Sequence, residues 1–141
     1  MAGEKIQTLF VCLIEYRDLN IYMASTKKGA VKIYLKIGRT EDAVSFFSSL
    51  MPRTKLLPSF RRNCALIQAT KSALEGNMAC STIPIDVKLT QFQQRVYDTI
   101  SKIPYGETRT YGQVAQHMGQ PNAARAVGRA LAANPLPIIF P

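Results

Sequence analysis

Residues 103–141, IPYGETRTYGQVAQHMGQPNAARAVGRALAANPLPIIFP, constrain the chain most tightly. Tyr111, Val114, Ala115 and Met118 recur at helical spacing and predict a short helix over 110–118. Gly119 stops it, and Pro121 falls where a new helix would begin, at the first helical position, whose missing N–H costs nothing. The second helix runs to about residue 133, with Val127, Ala130 and Leu131 as its expected buried stripe. A helix, a short glycine-bearing turn and a second helix make a helix-turn-helix. The same pattern also serves as a helical hairpin in a core.

The second helix is lean: Ala123, Ala124, Ala126, Gly128 and Ala130 leave much of its surface bare, so it can lie close to another surface. Arg125 and Arg129 fall one turn apart on its solvent side, within reach of phosphates or bases. Alanines that simply favour helix and arginines that are simply solvated would look the same. Gly128 counts against that plain reading, because a glycine inside a helix costs about 1 kcal/mol and wants a reason.

The formal charge of +9 points toward a polyanion, most simply nucleic acid. The excess is spread along the chain and does not locate a site: Lys27, Lys28, Lys32, Lys36 and Arg39 come early, Arg61 and Arg62 midway, Arg125 and Arg129 late. Cys12, Cys64 and Cys80 are far apart, and with the single His117 they give no zinc spacing, so no metal and no cofactor is expected. Cys12 and Cys64 sit in apolar company and are expected to be buried, inert thiols. Reduced thiols and the lack of a leader or a membrane-length apolar run suggest the cytoplasm, or the nucleus in a eukaryote.

Residues 6–37 read as a strand meander: IQTLFVCLIE, a turn over 17–20, NIYMAST, a turn at Lys27–Gly29, then AVKIYLKI. In the third strand Val31, Ile33, Leu35 and Ile37 alternate with Lys32, Tyr34 and Lys36, which predicts one buried face and one basic, wet face. Thr40 is placed to cap a helix carrying Val44, Phe46, Phe47 and Leu50 toward a core; Pro52 ends it, and Pro58 keeps RTKLLP irregular. A further helix is expected over 63–74, closed by Gly76. Residues 81–88 are an extended connector, and Thr90 caps a helix over 91–102 whose inner face holds Phe92, Val96, Tyr97, Ile100 and Ile103.

PYGETRTYGQVA followed by QPNAARAVGRALAANPLPII, with TQFQQRVYDTISKIPYGET upstream from Thr90, resembles the C-terminal domain of the O6-alkylguanine-DNA alkyltransferases, the methylated-DNA–protein-cysteine methyltransferases. The likeness is close over the last third of the chain and loose before it. It implies an α+β fold: a small ribonuclease-H-like α/β subdomain over 1–86, then a helical, winged-helix or helix-turn-helix DNA-binding domain over 87–141. It also implies direct repair of O6-alkylguanine in double-stranded DNA, by base flipping and alkyl transfer to a protein cysteine, by a monomer that does not engage membranes.

Residue by residue, the resemblance implies that Ala123, Ala124 and Gly128 are small so that the helix can enter the minor groove. Arg125 fills the space left by the flipped base. Tyr111 crowds the target's phosphate and offers its hydroxyl to the base. Asn134 braces the turn after the second helix, and Leu131 and Pro137 line the pocket. In the family the residues after the proline matching Pro141 are Cys-His-Arg, and that cysteine is the acceptor. The acceptor would therefore follow Pro141, and the chain as given is expected to be inactive in transfer, a shortened form of an active enzyme. Residues 138–140 would then be a strand ending abruptly in the core. The alternatives are a non-catalytic alkylated-guanine binder, which keeps the rest of the site around a different residue, and a plain helix-turn-helix regulator.

Overall fold

Long runs of β-branched and aromatic residues near the N-terminus pair into antiparallel strands, β1 (Thr8–Tyr16), β2 (Leu19–Ser25) and β3 (Ala30–Ile37). A fourth strand, β4 (Lys55–Pro58), runs parallel to β1, giving the order β3-β2-β1-β4. The computed structural model describes residues 3, 5–77 and 83–140, so residues 81 and 82 of the expected connector lie outside it. The chain divides into two compact units, Met1–Val87 and Lys88–Pro141. The mixed α+β class expected from the sequence is the one observed.

One sheet face, carrying Leu9, Val11, Tyr22 and Ala24, is covered by helix α1 (Ala43–Leu50) through Ala43 and Phe47. The Tyr22 ring stacks on Phe46 with centroids 3.8 Å apart. Its hydroxyl donates to the Glu41 carbonyl at 2.9 Å and accepts from the Glu41 N–H at 3.1 Å, so this buried phenol is satisfied at both ends. The other face buries Cys12, Ile14, Ile21, Met23 and Ile33. Ile33 is buried as its place in the alternation suggests, but the facing expected for the rest of β3 is corrected. Tyr34 pairs across from Tyr22 and packs edge-on against Phe46 and Phe47, while the Lys32 and Lys36 ammonium groups lie over the Tyr34 and Phe46 rings. Leu35 and Ile37, expected inside, are exposed. Aromatic side chains on α1 recruit the tyrosine, and the lysine stems follow along apolar surface.

Three further expectations are corrected. Asp42, not Thr40, caps α1, its carboxylate accepting from the Ser45 N–H at 2.9 Å and from the Ser45 hydroxyl at 2.7 Å; those bonds hold its carboxyl below the usual range. Leu50 at the far end of α1 is exposed. RTKLLP is not irregular: Pro58 is the last residue of an edge strand, where its missing N–H breaks no ladder.

After a 3₁₀ turn (Arg61–Asn63), helix α2 (Cys64–Leu74) buries Leu66, Ala69 and Thr70. Cys64, its first residue, is exposed rather than buried. Ile85 bridges to Ala30, with Ala30 N–H to Pro84 C=O at 3.0 Å and Asp86 N–H to Ala30 C=O at 2.8 Å.

The Lys88–Pro141 unit is three helices, α3 (Gln91–Ile100), α4 (Tyr111–His117) and α5 (Ala124–Ala132). α3 ends at Ile100, two residues earlier than its apolar spacing suggests. Val96, Tyr97 and Ile100 meet Val114, Ala115 and Met118 of the α4 segment and Val127 and Ala130 of α5 in one core. The periodicity of each helix thus directs a single stripe to a shared centre.

Candidate nucleic-acid interface

Local chemistry fixes where α4 starts and stops. Thr110 Oγ1 accepts from the Gln113 N–H at 3.1 Å and Gln113 Oε1 accepts from the Thr110 N–H at 2.8 Å, a reciprocal capping box. At the other end Gly119 takes φ +74°, its N–H reaching Gln116 C=O and the Gln120 N–H reaching Ala115 C=O, both at 2.9 Å. That is a Schellman stop, which favours glycine at the left-handed position. Arg95 of α3 donates to the Met118 carbonyl at 2.6 Å, tying the end of α4 to α3.

The connection to α5 departs from expectation at Pro121. The Ala123 N–H bonds Gln120 C=O at 2.9 Å, so Pro121 is the second residue of a β-turn and not the first of the helix. α5 begins at Ala124, and no side chain caps it, so its leading N–H groups lack a side-chain acceptor.

α5 is anchored from beneath. The Tyr97 hydroxyl donates to Ala130 C=O at 2.7 Å, and the Tyr97 ring stacks on Phe140 at 4.8 Å. Burial raises the Tyr97 pKa, keeping it a neutral donor. The outward side of α5 carries Arg125 and Arg129, both exposed and neither in an ion pair with a described residue. Ala124 and Ala126, on either side of Arg125, are half-buried, and Ala123 packs on the core.

Gly128 has an internal reason to be small. A Cβ there would meet the Tyr111 ring at 3.0 and 3.2 Å, so the tyrosine lies across the glycine while remaining 55% exposed. Nothing in the sequence links these positions, which belong to different helices. Gly128→Ala sets a gain of about 1 kcal/mol in helix propensity against a contact relieved by a shift of an exposed ring. The expected outcome is a thermal midpoint no lower than the parent's, with the Tyr111 ring resonances displaced. A clear drop in the midpoint would mean that the ring cannot yield.

Asn134 braces the segment after α5: its amide accepts from the Leu136 N–H at 2.9 Å and donates to Phe140 C=O at 2.7 Å. With the Phe140 N–H bonded to Leu136 C=O at 2.9 Å, these bonds fold residues 134–140 back on themselves. Residues 138–140 are therefore a turn, closed by a bridge between Pro137 and Phe140, and not the expected strand; Ile138 sits at φ +77° within it. Leu131 packs against the core and Pro137 is half-buried. Glu107 is engaged by Arg109 at 2.8 Å.

Sequence reasoning missed Arg95 and the hydroxyl of Tyr97. The only available signal was their placement on α3, Tyr97 on its apolar stripe and Arg95 two positions before it, and spacing alone does not reveal a hydrogen-bond partner.

Residues 91–141 match a family profile described as the DNA-binding domain of 6-O-methylguanine DNA methyltransferase. The inducible methylated-DNA–protein-cysteine methyltransferase of Bacillus subtilis is 33% identical over 134 residues, which cover 95% of this chain and 75% of that protein. The methylated-DNA–protein-cysteine methyltransferase of Methanosarcina acetivorans is 42% identical over 107 residues, 72% of this chain and 69% of that one. Among solved structures, the Mycobacterium tuberculosis O6-methylguanine methyltransferase aligns with a TM-score of 0.67 at 28% identity, over 94% of this chain and 75% of that one. The same organism's OGT in complex with DNA aligns with a TM-score of 0.67 at 27% identity, over 95% and 74% of the two chains. A relative so similar along nearly the whole sequence, and solved neighbours sharing its fold, leave one conclusion: this chain belongs to the methylated-DNA–protein-cysteine methyltransferase family of DNA repair proteins.

Proposed function

We propose that the Lys88–Pro141 unit recognises O6-alkylguanine in double-stranded DNA as a monomer and holds the damaged base outside the stack, within repair by alkyl transfer to a protein cysteine. The observation that carries this reading is the outer side of α5, where small residues leave Arg125 and Arg129 standing clear beside an uncapped helix start. Phosphates suit the arginines and the free N–H groups, and these contacts position the protein without reading sequence. Arg125 then acts as the wedge in the stack, and Tyr111, lying across Gly128, meets the backbone at the extruded nucleotide. Leu131, Asn134 and Pro137 form one side of the base pocket.

Transfer needs a thiolate, and the described thiols do not supply one at this site. The Lys88–Pro141 unit contains no cysteine. Cys12 is buried in β1, and burial pushes its thiol up to about 11. Roughly one molecule in ten thousand would then carry the thiolate at pH 7. Cys64 is exposed, but it opens α2 in the other unit.

The test uses the 141-residue polypeptide and a duplex carrying labelled O6-methylguanine. The label should stay on the DNA, while the lesion duplex should bind more tightly than the same duplex with guanine. Binding to both should weaken steeply with salt, since phosphate contacts release counterions. Stoichiometric label on Cys12 or Cys64 would overturn the assignment of the thiols, and equal affinity for the two duplexes would overturn lesion recognition.

A further inference from the structure

The other unit holds a second basic feature. A cleft of about 730 Å³ opens between the β2–β3 turn and the segment that follows β4. Lys27 and Lys28 stand on one wall, Arg61 and Arg62 on the other, and Phe10 and Leu57 contribute to an apolar floor. All four cations are exposed, and none forms an ion pair with a described residue. Phe60, which precedes Arg61 in the chain, does not line the cleft itself but is 64% exposed next to that wall.

Both walls are fixed by the fold. The Asn63 amide is fully buried; its nitrogen donates to Phe10 C=O at 3.0 Å and Ser59 C=O at 2.9 Å, and its oxygen accepts from the Ser25 hydroxyl at 2.6 Å. That ties the 3₁₀ turn carrying Arg61 and Arg62 to β1 and β2. The guanidinium of Arg62 already rests over the Phe10 ring, 5.1 Å from its centre. On the opposite wall the Thr26 N–H bonds Gly29 C=O at 2.9 Å, and Thr26 Oγ1 donates to the Asp86 carboxylate at 2.6 Å. Gly29 lies so close to Pro84 that a Cβ would come within 2.5 Å of its backbone. Asp86 is thus an acid near the cleft, and it is committed to Thr26.

Four exposed cations carried on two braced walls, around an apolar floor that includes Phe10, suit a chain of phosphates that also offers flat apolar faces. Duplex DNA shows phosphates at its surface but keeps its base faces stacked inside. A single strand offers both, and cationic grooves with aromatic platforms are how proteins hold one without reading its sequence. We propose that this cleft binds single-stranded nucleic acid, with Lys27, Lys28, Arg61 and Arg62 on consecutive phosphates and unstacked bases against Phe10 and Phe60. The cleft belongs to the Met1–Val87 unit and does not depend on the reading given for α5.

Fluorescence anisotropy of the full chain with a labelled thymidine oligonucleotide, at several salt concentrations, tests this. Lys27, Lys28, Arg61 and Arg62 are changed together to alanine, and a control removes the same charge elsewhere at Lys5, Lys55, Lys71 and Lys88. The cleft variant should bind the single strand about tenfold or more weakly than the control, with a salt slope lower by about 2 to 3, since each lost contact removes about 0.7. Phe60→Ala should weaken single-strand binding about fivefold or more with the slope unchanged. The milder pair Lys27→Gln and Lys28→Gln, on a turn held by backbone bonds, should show about half the slope change and guards against misfolding of the larger set. Equal behaviour of the cleft variant and its control would overturn the proposal. So would a loss of unmodified-duplex binding as large as the loss for the single strand. Arg125→Ala serves to separate the two surfaces: it should reduce duplex binding and leave the single-strand slope unchanged, and a fall in both would mean that α5, not the cleft, holds the strand.

Discussion

Arg125→Lys should be as damaging to base extrusion as Arg125→Ala. Arg125 stands on the exposed side of α5, one turn before Arg129 and free of ion pairs with described residues. If its role were only to meet a phosphate, lysine would preserve it, because a unit charge remains at nearly the same reach. A wedge makes a different demand. The vacated space in the stack is flat and lined by base edges, and a planar guanidinium with forked donors fits it where an ammonium does not. Extrusion costs a few kcal/mol, and losing the wedge should lower the extruded fraction about ten- to a hundredfold. A fluorescent base analogue at the target position should brighten with the parent chain and stay dim with both variants. Arg129→Lys provides the contrast, with brightening retained, since a phosphate contact tolerates the exchange. Brightening by Arg125→Lys equal to the parent's would show that charge alone suffices and that Arg125 is not the wedge.

Much of the second unit was legible in the sequence because its determinants are local. Thr90 with Gln93 and Thr110 with Gln113 encode reciprocal caps four residues wide, and Gly119 encodes the left-handed stop. β3 begins and ends where its alternation does. What escaped depends on partners distant in the chain. β4 is a strand because β1, some forty residues earlier, offers it a parallel edge, and no local pattern in KLLP announces that. Alternation in β3 defines two faces without saying how far each is covered: Ile33 is buried on one, Leu35 and Ile37 on the same side are exposed, and Phe46 and Phe47 draw Tyr34 in on the other. Cys64 lies among apolar residues but off the stripe of Leu66, Ala69 and Thr70, so its company misled about its burial. For the site, the sequence located α5 and its arginines. It could not reveal that Gly128 makes room for Tyr111, or that Asn134 turns residues 135–140 back instead of launching a strand.

Asn63→Ala should strongly destabilise the Met1–Val87 unit, by about 3–5 kcal/mol. Its side chain is inaccessible to solvent and spends both amide hydrogens and its oxygen on three different segments. Alanine leaves two carbonyls, of Phe10 and Ser59, and the buried Ser25 hydroxyl without that partner, and unsatisfied buried groups cost about 1–3 kcal/mol each. A small void adds to the loss. Against a whole-domain stability of about 5–15 kcal/mol, that is enough to populate opened forms. Ser25→Ala removes one of the three bonds and should cost only about 1 kcal/mol. Asn63→Asp keeps the size and the acceptor but presents a carboxylate to two carbonyls, so at neutral pH it should be at least as harmful as alanine. Below the carboxyl's pKa the protonated group regains one donor and part of the stability should return. Because the chain has two units, global unfolding is a blunt probe. Hydrogen exchange of β1 and β2 amides reads the loss where it occurs, and exchange within about 1 kcal/mol of the parent in Asn63→Ala would sink the assignment. The same variant should also loosen the turn that carries Arg61 and Arg62, so weakened single-strand binding by a still-folded Asn63→Ser chain would connect this buried amide to the cleft above it.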